Sequence, residues 1–276
     1  MGMPELITFV RHGESEANVF QGLDKQGIDV STPEFQAIQK RVDYKQRLSM
    51  VGIEQAEKAR EWLIKNAVGG LAMYDAFFCS TFFRASETAA KISAGYPGIT
   101  WKLDDRLDER NWGVHSPLTK KEREELYETT SRLMDEDPYH AAFEGGESIW
   151  GVKNERFRDW QNTLHREQDG KNVLVVTHGD FMRAARIGIE RILPEEFEAI
   201  EADPRYKIKN CTILQYSRVN PEDSQDIKPR ITYRRMIYPT DIQASPDGGE
   251  WIKIGKREFN SEELLDRISV EPRLLG

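Results

Sequence analysis

The chain has 276 residues, 38% hydrophobic and 31% charged, which suits a globular protein built as one large α/β domain or two smaller ones. A net charge of −8 argues against a general nucleic-acid or anionic-membrane binder, since both need a basic surface, and any positive potential must be local. No apolar run approaches bilayer-spanning length, and no basic-then-apolar leader opens the chain, so the expectation is a cytoplasmic protein.

Residues 6–10 (Leu-Ile-Thr-Phe-Val) read as a short buried strand. They lead directly into the polar turn Arg11-His12-Gly13-Glu14-Ser15. Residues 14–18 fit one helical turn, which would point Asn18 back toward His12. Residues 19–48 hold Gly22, Gly27, Pro33 and mixed charge, with little periodicity beyond a short helix over 33–42. A lid or substrate loop and a plain surface excursion both fit such a stretch. Across 52–66, Ile53, Ala56, Ala59, Leu63 and Ile64 recur at helical spacing, and Gly69-Gly70 ends the segment.

A second buried strand over 74–79 runs into Ser80-Thr81-Phe82-Phe83-Arg84, which opens a helix to about 94. Residues 99–103 alternate as a third strand, and 104–117 form a loop containing Leu107-Asp108-Glu109-Arg110-Asn111-Trp112-Gly113. Thr119 and Glu122 make a capping box, 131–146 read as irregular, and 148–166 as a long amphipathic helix. Residues 172–177 are the clearest strand, followed at once by His178-Gly179-Asp180 and a helix through 192. This alternation predicts an α/β fold with a mainly parallel, doubly wound sheet.

Beyond it the pattern predicts a short helix over 194–200 and a hairpin from strands 211–217 and 230–238. A strand near 251–254 and a helix capped by Asn260 close the chain. The expected layout is one domain over 1–240 with an insertion at about 19–48, and an appendage over 241–276. Cys79 and Cys211 fall in predicted strands and read as buried free thiols. No Cys/His cluster or HExxH pair has metal-ligand spacing, so no metal is expected.

Two predicted strands, ending at Val10 and Thr177, each deliver a histidine followed by glycine at the carboxyl end, where open α/β sheets bind ligands. Arg84 opens a helix after a third strand on the same rim. Two guanidiniums, two imidazoles, Asn18 and helix N-termini together describe a pocket for a dianion, most naturally a phosphoryl group. Gly13 would let the backbone come close to whatever is held there.

Arg11-His12-Gly13-Glu14 with Asn18, Arg84 before Ala85 and Thr88, Glu109 in Leu-Asp-Glu-Arg-Asn-Trp-Gly, and Thr177-His178-Gly179 resemble the histidine phosphatase superfamily. More narrowly they resemble its phosphoglycerate-mutase-like branch, as do Leu48-Ser49-Met50-Val51-Gly52-Ile53-Glu54-Gln55-Ala56 and Gly145-Gly146-Glu147-Ser148. The resemblance covers about 5–190. It implies a three-layer α/β/α sandwich and phosphoryl transfer through a phosphohistidine, with no metal and no cofactor. It implies His12 as nucleophile and Glu109 as general acid. Arg11, Asn18, Arg84, His178 and the backbone of Gly179 would hold the phosphoryl oxygens.

Asp108 is a weaker acid candidate that could equally be a solvated loop carboxylate, and Asp180 a first-turn helix residue favoured by the dipole. The Arg-Arg pair with which phosphoglycerate mutases grip their substrate is absent, since 127–140 reads YETTSRLMDEDPYH. The expectation is therefore a phosphomonoester hydrolase acting on a phosphorylated small molecule, independent of nucleic acid and membrane. A mutase and a catalytically silent phosphate-binding regulator remain open alternatives. Substrate identity and homo-oligomerisation are left open.

Overall fold

A computed structural model describes residues 2–67, 69–115, 118–255 and 258–274 of the chain. Its nine strands are β1 (Leu6–Arg11), β2 (Ala76–Cys79), β3 (Lys102–Leu103), β4 (Asn172–Thr177), β5 (Ile213–Ser217), β6 (Val219–Asn220), β7 (Asp223–Ile227), β8 (Tyr233–Ile237) and β9 (Ile252–Lys253). Seven form one sheet in the order β3-β2-β4-β1-β5-β8-β9. The β3-β2-β4-β1 half is parallel, and β5, β8 and β9 continue it antiparallel. The small β6/β7 ribbon fills the predicted loop between β5 and β8.

Side-chain alternation builds the layers. Ile7 and Phe9 of β1, with Val173 and Val175 of β4, face a core shared with Trp160, Leu164 and Phe181. Val10, Leu174 and Val176 face the opposite core, with Ala56, Ala59, Leu63, Ala85, Ala89 and Ile92. The helices of the first core are α8 (Arg158–Glu167) and α9 (Gly179–Glu190); those of the second are α3 (Met50–Asn66) and α4 (Phe83–Ile92). Helix, sheet and helix thus form three layers, as the family resemblance implies.

The segment after β1 is more helical than its weak periodicity suggests. Helix α1 (Glu16–Lys25) continues well past Asn18, α2 (Pro33–Lys40) begins on its proline, and a 3₁₀ turn follows at Asp43–Lys45. Phe20 packs on Phe35 with ring centroids 6.3 Å apart, and Arg41 pairs with Glu16.

Two local expectations fail. The predicted strand over 99–103 shrinks to Lys102–Leu103, because this exposed edge has only β2 as neighbour. The stretch 131–146 is not wholly irregular: α5 (Lys120–Leu126) is followed by α6 (Glu128–Glu136), a polar helix burying none of its residues. Residues 116 and 117 of the predicted 104–117 loop lie outside the described residues.

The predicted 148–166 helix is α7 (Ile149–Gly151) running through a π-helical stretch, Val152–Phe157, into α8. Helix α10 (Pro194–Ala202) follows α9, and α11 (Ser261–Ile268) carries the Asn260–Glu263 capping box. No described helix is long and apolar enough to cross a membrane.

Candidate active site

The sheet register brings the two histidines together. Arg11 and Thr177 are opposed on adjacent parallel strands, so His12 and His178 leave β1 and β4 side by side. Their ring centroids lie 4.9 Å apart, and both side chains are buried. Strand β2 borders β4 on its other edge, which carries Ser80 and the start of α4 to the same rim.

The turn after β1 is held from two helices. Gly13 N–H donates to Thr88 Oγ1 at 3.0 Å, Glu14 N–H to Gln55 Oε1 at 2.8 Å, and Ser49 Oγ to Glu14 Oε1 at 2.7 Å. Gly13 serves this docking rather than ligand approach. A Cβ on Gly13 would stand 2.3 Å from the Gly52 carbonyl oxygen, and one on Gly52 2.0 Å from that of Glu14. The glycines let two backbones touch.

His12 has a defined polarity. Its Nδ1 lies 2.6 Å from the Gly13 carbonyl oxygen, to which it can only donate, so the neutral ring carries its lone pair on Nε2. Burial, with Arg84 and Arg11 nearby, holds this imidazole well below the usual histidine range. It is a neutral nitrogen base in a cationic pocket.

His178 is fixed by a relay the sequence does not reveal. Ser80 Oγ donates to Asp108 Oδ1 at 2.7 Å, and therefore accepts from His178 Nε2 at 2.7 Å. Asp108 also accepts from Thr81 N and Oγ1 at 2.8 and 2.7 Å, so it is a bound carboxylate and not a solvated one. Burial, then Arg84, depresses the His178 imidazole. Its Nδ1 and Arg11 Nε are buried without a protein partner among the described residues.

Glu109 and Asp180 are pushed apart. Burial and the neighbouring Asp180 raise the Glu109 carboxyl above its ordinary value. Burial alone would raise Asp180 too, but Arg110 and Arg183 hold it below. Arg110 Nε donates to Asp180 at 2.8 Å, Arg183 pairs with its other oxygen, and Trp112 lies on the Arg110 guanidinium at 3.8 Å. Glu109 Oε1 accepts from the N–H groups of Arg110 and Asp180 at 3.0 and 3.2 Å, leaving Oε2 to carry a proton.

Arg11, His12, Asn18, Arg84, Glu109 and Gly179 all line one cavity of about 350 Å³, which Asp180, Arg183 and Trp112 also border. Those named first were singled out from the sequence, and His178 packs against His12. Asp108 and Gly13 lie outside the lining, on the Ser80 relay and against α3. The 19–48 segment lines the cavity too, through Gln21, Lys25, Gln39, Arg41 and Asp43 among others. Asn18 is turned by a residue that sequence reasoning misses: its Oδ1 accepts from Ser15 N and from Asn210 Nδ2 at 3.2 and 3.1 Å, which leaves its NH₂ free to donate. Asn210 also donates to the His12 carbonyl. Arg183 had a findable signal, since it sits three residues after Asp180 on one helix face. Asn210 had none.

His12, Glu109 and His178 each bring one ligand atom within 4.8 Å of the others, a set that could hold a divalent ion although no metal-ligand spacing marks it. Cys79 and Cys211 are buried and free as expected, each thiol pushed up to about 12 by burial.

The profile of the histidine phosphatase superfamily (branch 1) matches residues 7–218. The chain belongs to this superfamily. A 2,3-bisphosphoglycerate-dependent phosphoglycerate mutase of Methylorubrum populi is 26% identical over 228 residues, 80% of this chain and 98% of that protein. Fructose-2,6-bisphosphatase of Saccharomyces cerevisiae is 29% identical over 180 residues, 65% of this chain but 33% of that protein. Among solved structures, a mycobacterial glucosyl-3-phosphoglycerate phosphatase superposes with a TM-score of 0.60 at 22% identity, covering 77% of this chain and 92% of its own. An alpha-ribazole phosphatase from Shigella flexneri gives 0.59 at 17%, covering 82% and 96%. These likenesses confirm the histidine phosphatase fold.

Proposed function

We propose that this histidine phosphatase superfamily member hydrolyses a phosphorylated small molecule through a phosphohistidine on His12. The observation that carries the reading is the His12 tautomer. The Gly13 carbonyl takes Nδ1–H, and Nε2 is left as a lone pair in a cavity rimmed by cations. In this reading His12 Nε2 attacks phosphorus, and the bond to the leaving oxygen breaks as Glu109 Oε2 delivers its proton. Arg11, Asn18 NH₂, Arg84 and the Gly179 N–H hold the equatorial oxygens. His178 takes a proton at Nδ1 as the dianion enters, and donates it as a hydrogen bond. Water, activated by the Glu109 carboxylate, then releases phosphate. The activity is assigned to residues 1–240, with 19–48 as an insertion and 241–276 as an appendage.

The acidic helix α6 supports hydrolysis over mutation of phosphate position, since a mutase must grip an anionic intermediate while it reorients. Quenched turnover should leave acid-labile, base-stable phosphoprotein, with mass spectrometry placing the phosphate on residue 12. Undiminished activity in His12→Ala would overturn the reading. Rapid interconversion of 2- and 3-phosphoglycerate in the presence of 2,3-bisphosphoglycerate would make the protein a mutase instead.

A further inference from the structure

The last turn of the 19–48 segment meets the site at one residue. Asp43 accepts from Arg84 Nη1 with both its backbone carbonyl and its Oδ1, each at 2.9 Å, and from Nη2 with Oδ2 at 3.3 Å. Neighbouring contacts anchor this turn without Asp43. Arg47 forks onto Glu87 at 3.0 and 2.6 Å, Leu48 N–H donates to the same carboxylate at 3.0 Å, and Tyr44 meets Phe83 edge-on at 5.9 Å. The Asp43 carboxylate is therefore not needed to dock the segment.

A guanidinium has five N–H donors in one plane. Asp43 takes both of those on Nη1 and one on Nη2. The two that remain, Nε–H and the second Nη2–H, project in parallel from one edge, the spacing that matches two oxygens of a phosphoryl group. Phe82 lies over the face of the guanidinium at 4.9 Å, so the plane is held as well as the edge. Arg84 is 5% exposed and borders the same cavity as His12.

We propose that Asp43 is a positioning residue for phosphoryl transfer, holding Arg84 so that its Nε–Nη2 edge receives the phosphoryl oxygens beside His12. The inference rests on phosphoryl transfer at His12, and it gives the 19–48 segment a part in the reaction. It also opposes the other role a carboxylate could have there. A mere competitor for Arg84 would be displaced by phosphate, and its removal would tighten phosphate binding. A positioning residue does the reverse.

The test compares wild type, Asp43→Ala and Asp43→Asn on an alkyl phosphate and on p-nitrophenyl phosphate, with inhibition by inorganic phosphate and thermal melting read on each. Asp43→Ala should lose about 10- to 100-fold in kcat/KM on both substrates, the scale of a misplaced catalytic group. Its inhibition constant for phosphate should rise about tenfold or more, with Asp43→Asn in between and melting little changed. Unchanged kinetics, or tighter inhibition by phosphate, overturns the proposal. If Asp43→Ala melts early, the comparison is made on Asp43→Asn alone. If wild type fails to turn over, the phosphohistidine reading falls first. Calorimetry with inorganic phosphate then decides this one: weaker binding in the variants supports it, and equal or tighter binding sinks it.

Discussion

Burial and the Asp180 carboxylate both oppose ionisation of Glu109 and raise it above its ordinary value, while Arg110 and Arg183 hold Asp180 below its own. A general acid matters in proportion to the basicity of the leaving group. Glu109→Gln keeps the size and the two backbone hydrogen bonds but removes the transferable proton. On an alkyl phosphate it should lower kcat by roughly 10²–10⁴-fold, and on p-nitrophenyl phosphate, whose leaving group departs as a stable anion, far less. Arg84→Ala should slow both, because in the proposed reaction it holds the group transferred. Equal losses for Glu109→Gln on the two substrates would reduce Glu109 to a residue that positions its loop. In the proposed reaction His12 and Glu109 would set the pH profile. His12 must be neutral and is depressed, and Glu109 must be protonated and is raised. Activity should therefore persist on the acid side of neutrality and decline as pH climbs through the raised Glu109 value. In Glu109→Gln that alkaline limb should disappear, and its survival would assign it to another group.

At the scale of elements, the site depends on α3 touching the turn after β1. Adding a methyl at Gly52 forces two backbones apart, and overpacking of this kind costs about 1–3 kcal/mol. Gly52→Ala should lower the denaturant midpoint accordingly and reduce activity with it. Gly22→Ala, in α1 with nothing within 4 Å of the added carbon, should be neutral or stabilise by about 0.5–1 kcal/mol. Equal effects at the two positions would remove the argument.

The pattern of Ile7, Phe9, Val173 and Val175 could be read in advance because both strands are buried on both faces, and continuous apolar runs leave little choice. The histidines that follow them were legible for the same reason. Two of the groups that tune them were not. The partner of Asn18 lies 192 residues away and that of Arg84 41 residues earlier, in a segment with no period to place it. Gly13 was legible as a close approach, but not what it approaches. The edge strand at 102–103 failed because pairing with a single neighbour selects little. Helix α6 failed because a helix that buries nothing has no apolar stripe to announce it.

At the scale of the whole molecule, the site is a liability to stability in acid. His12 and His178 are both depressed in the fold but titrate near 6.5 when unfolded. Below about 6.5 the unfolded chain therefore binds protons that the native one refuses, and stability falls with pH. Glu109 and Asp108 work the other way: burial raises both, which favours the fold at low pH, and that contribution is lost as pH rises from their ordinary values through the folded ones. The histidines lie well below their ordinary value while the two carboxyls are raised without reaching so far, which predicts a melting temperature that drops between pH 7.5 and 5.5. A His12→Asn, His178→Asn double variant should flatten that drop, and an unchanged slope would place its origin elsewhere.

The strand that leads into His12 lies fourth of seven in the sheet, and the two edges, β3 and β9, are two residues each. Fraying of the sheet therefore begins three strands away from β1 on either side. Amides of 102–103 and 252–253 should exchange with solvent through local opening, whereas those of 7–10 and 173–176 should exchange only when the whole sheet lets go. On heating, opening of the sheet edges alone should leave His12 and His178 in place. Loss of turnover and loss of structure should share one midpoint.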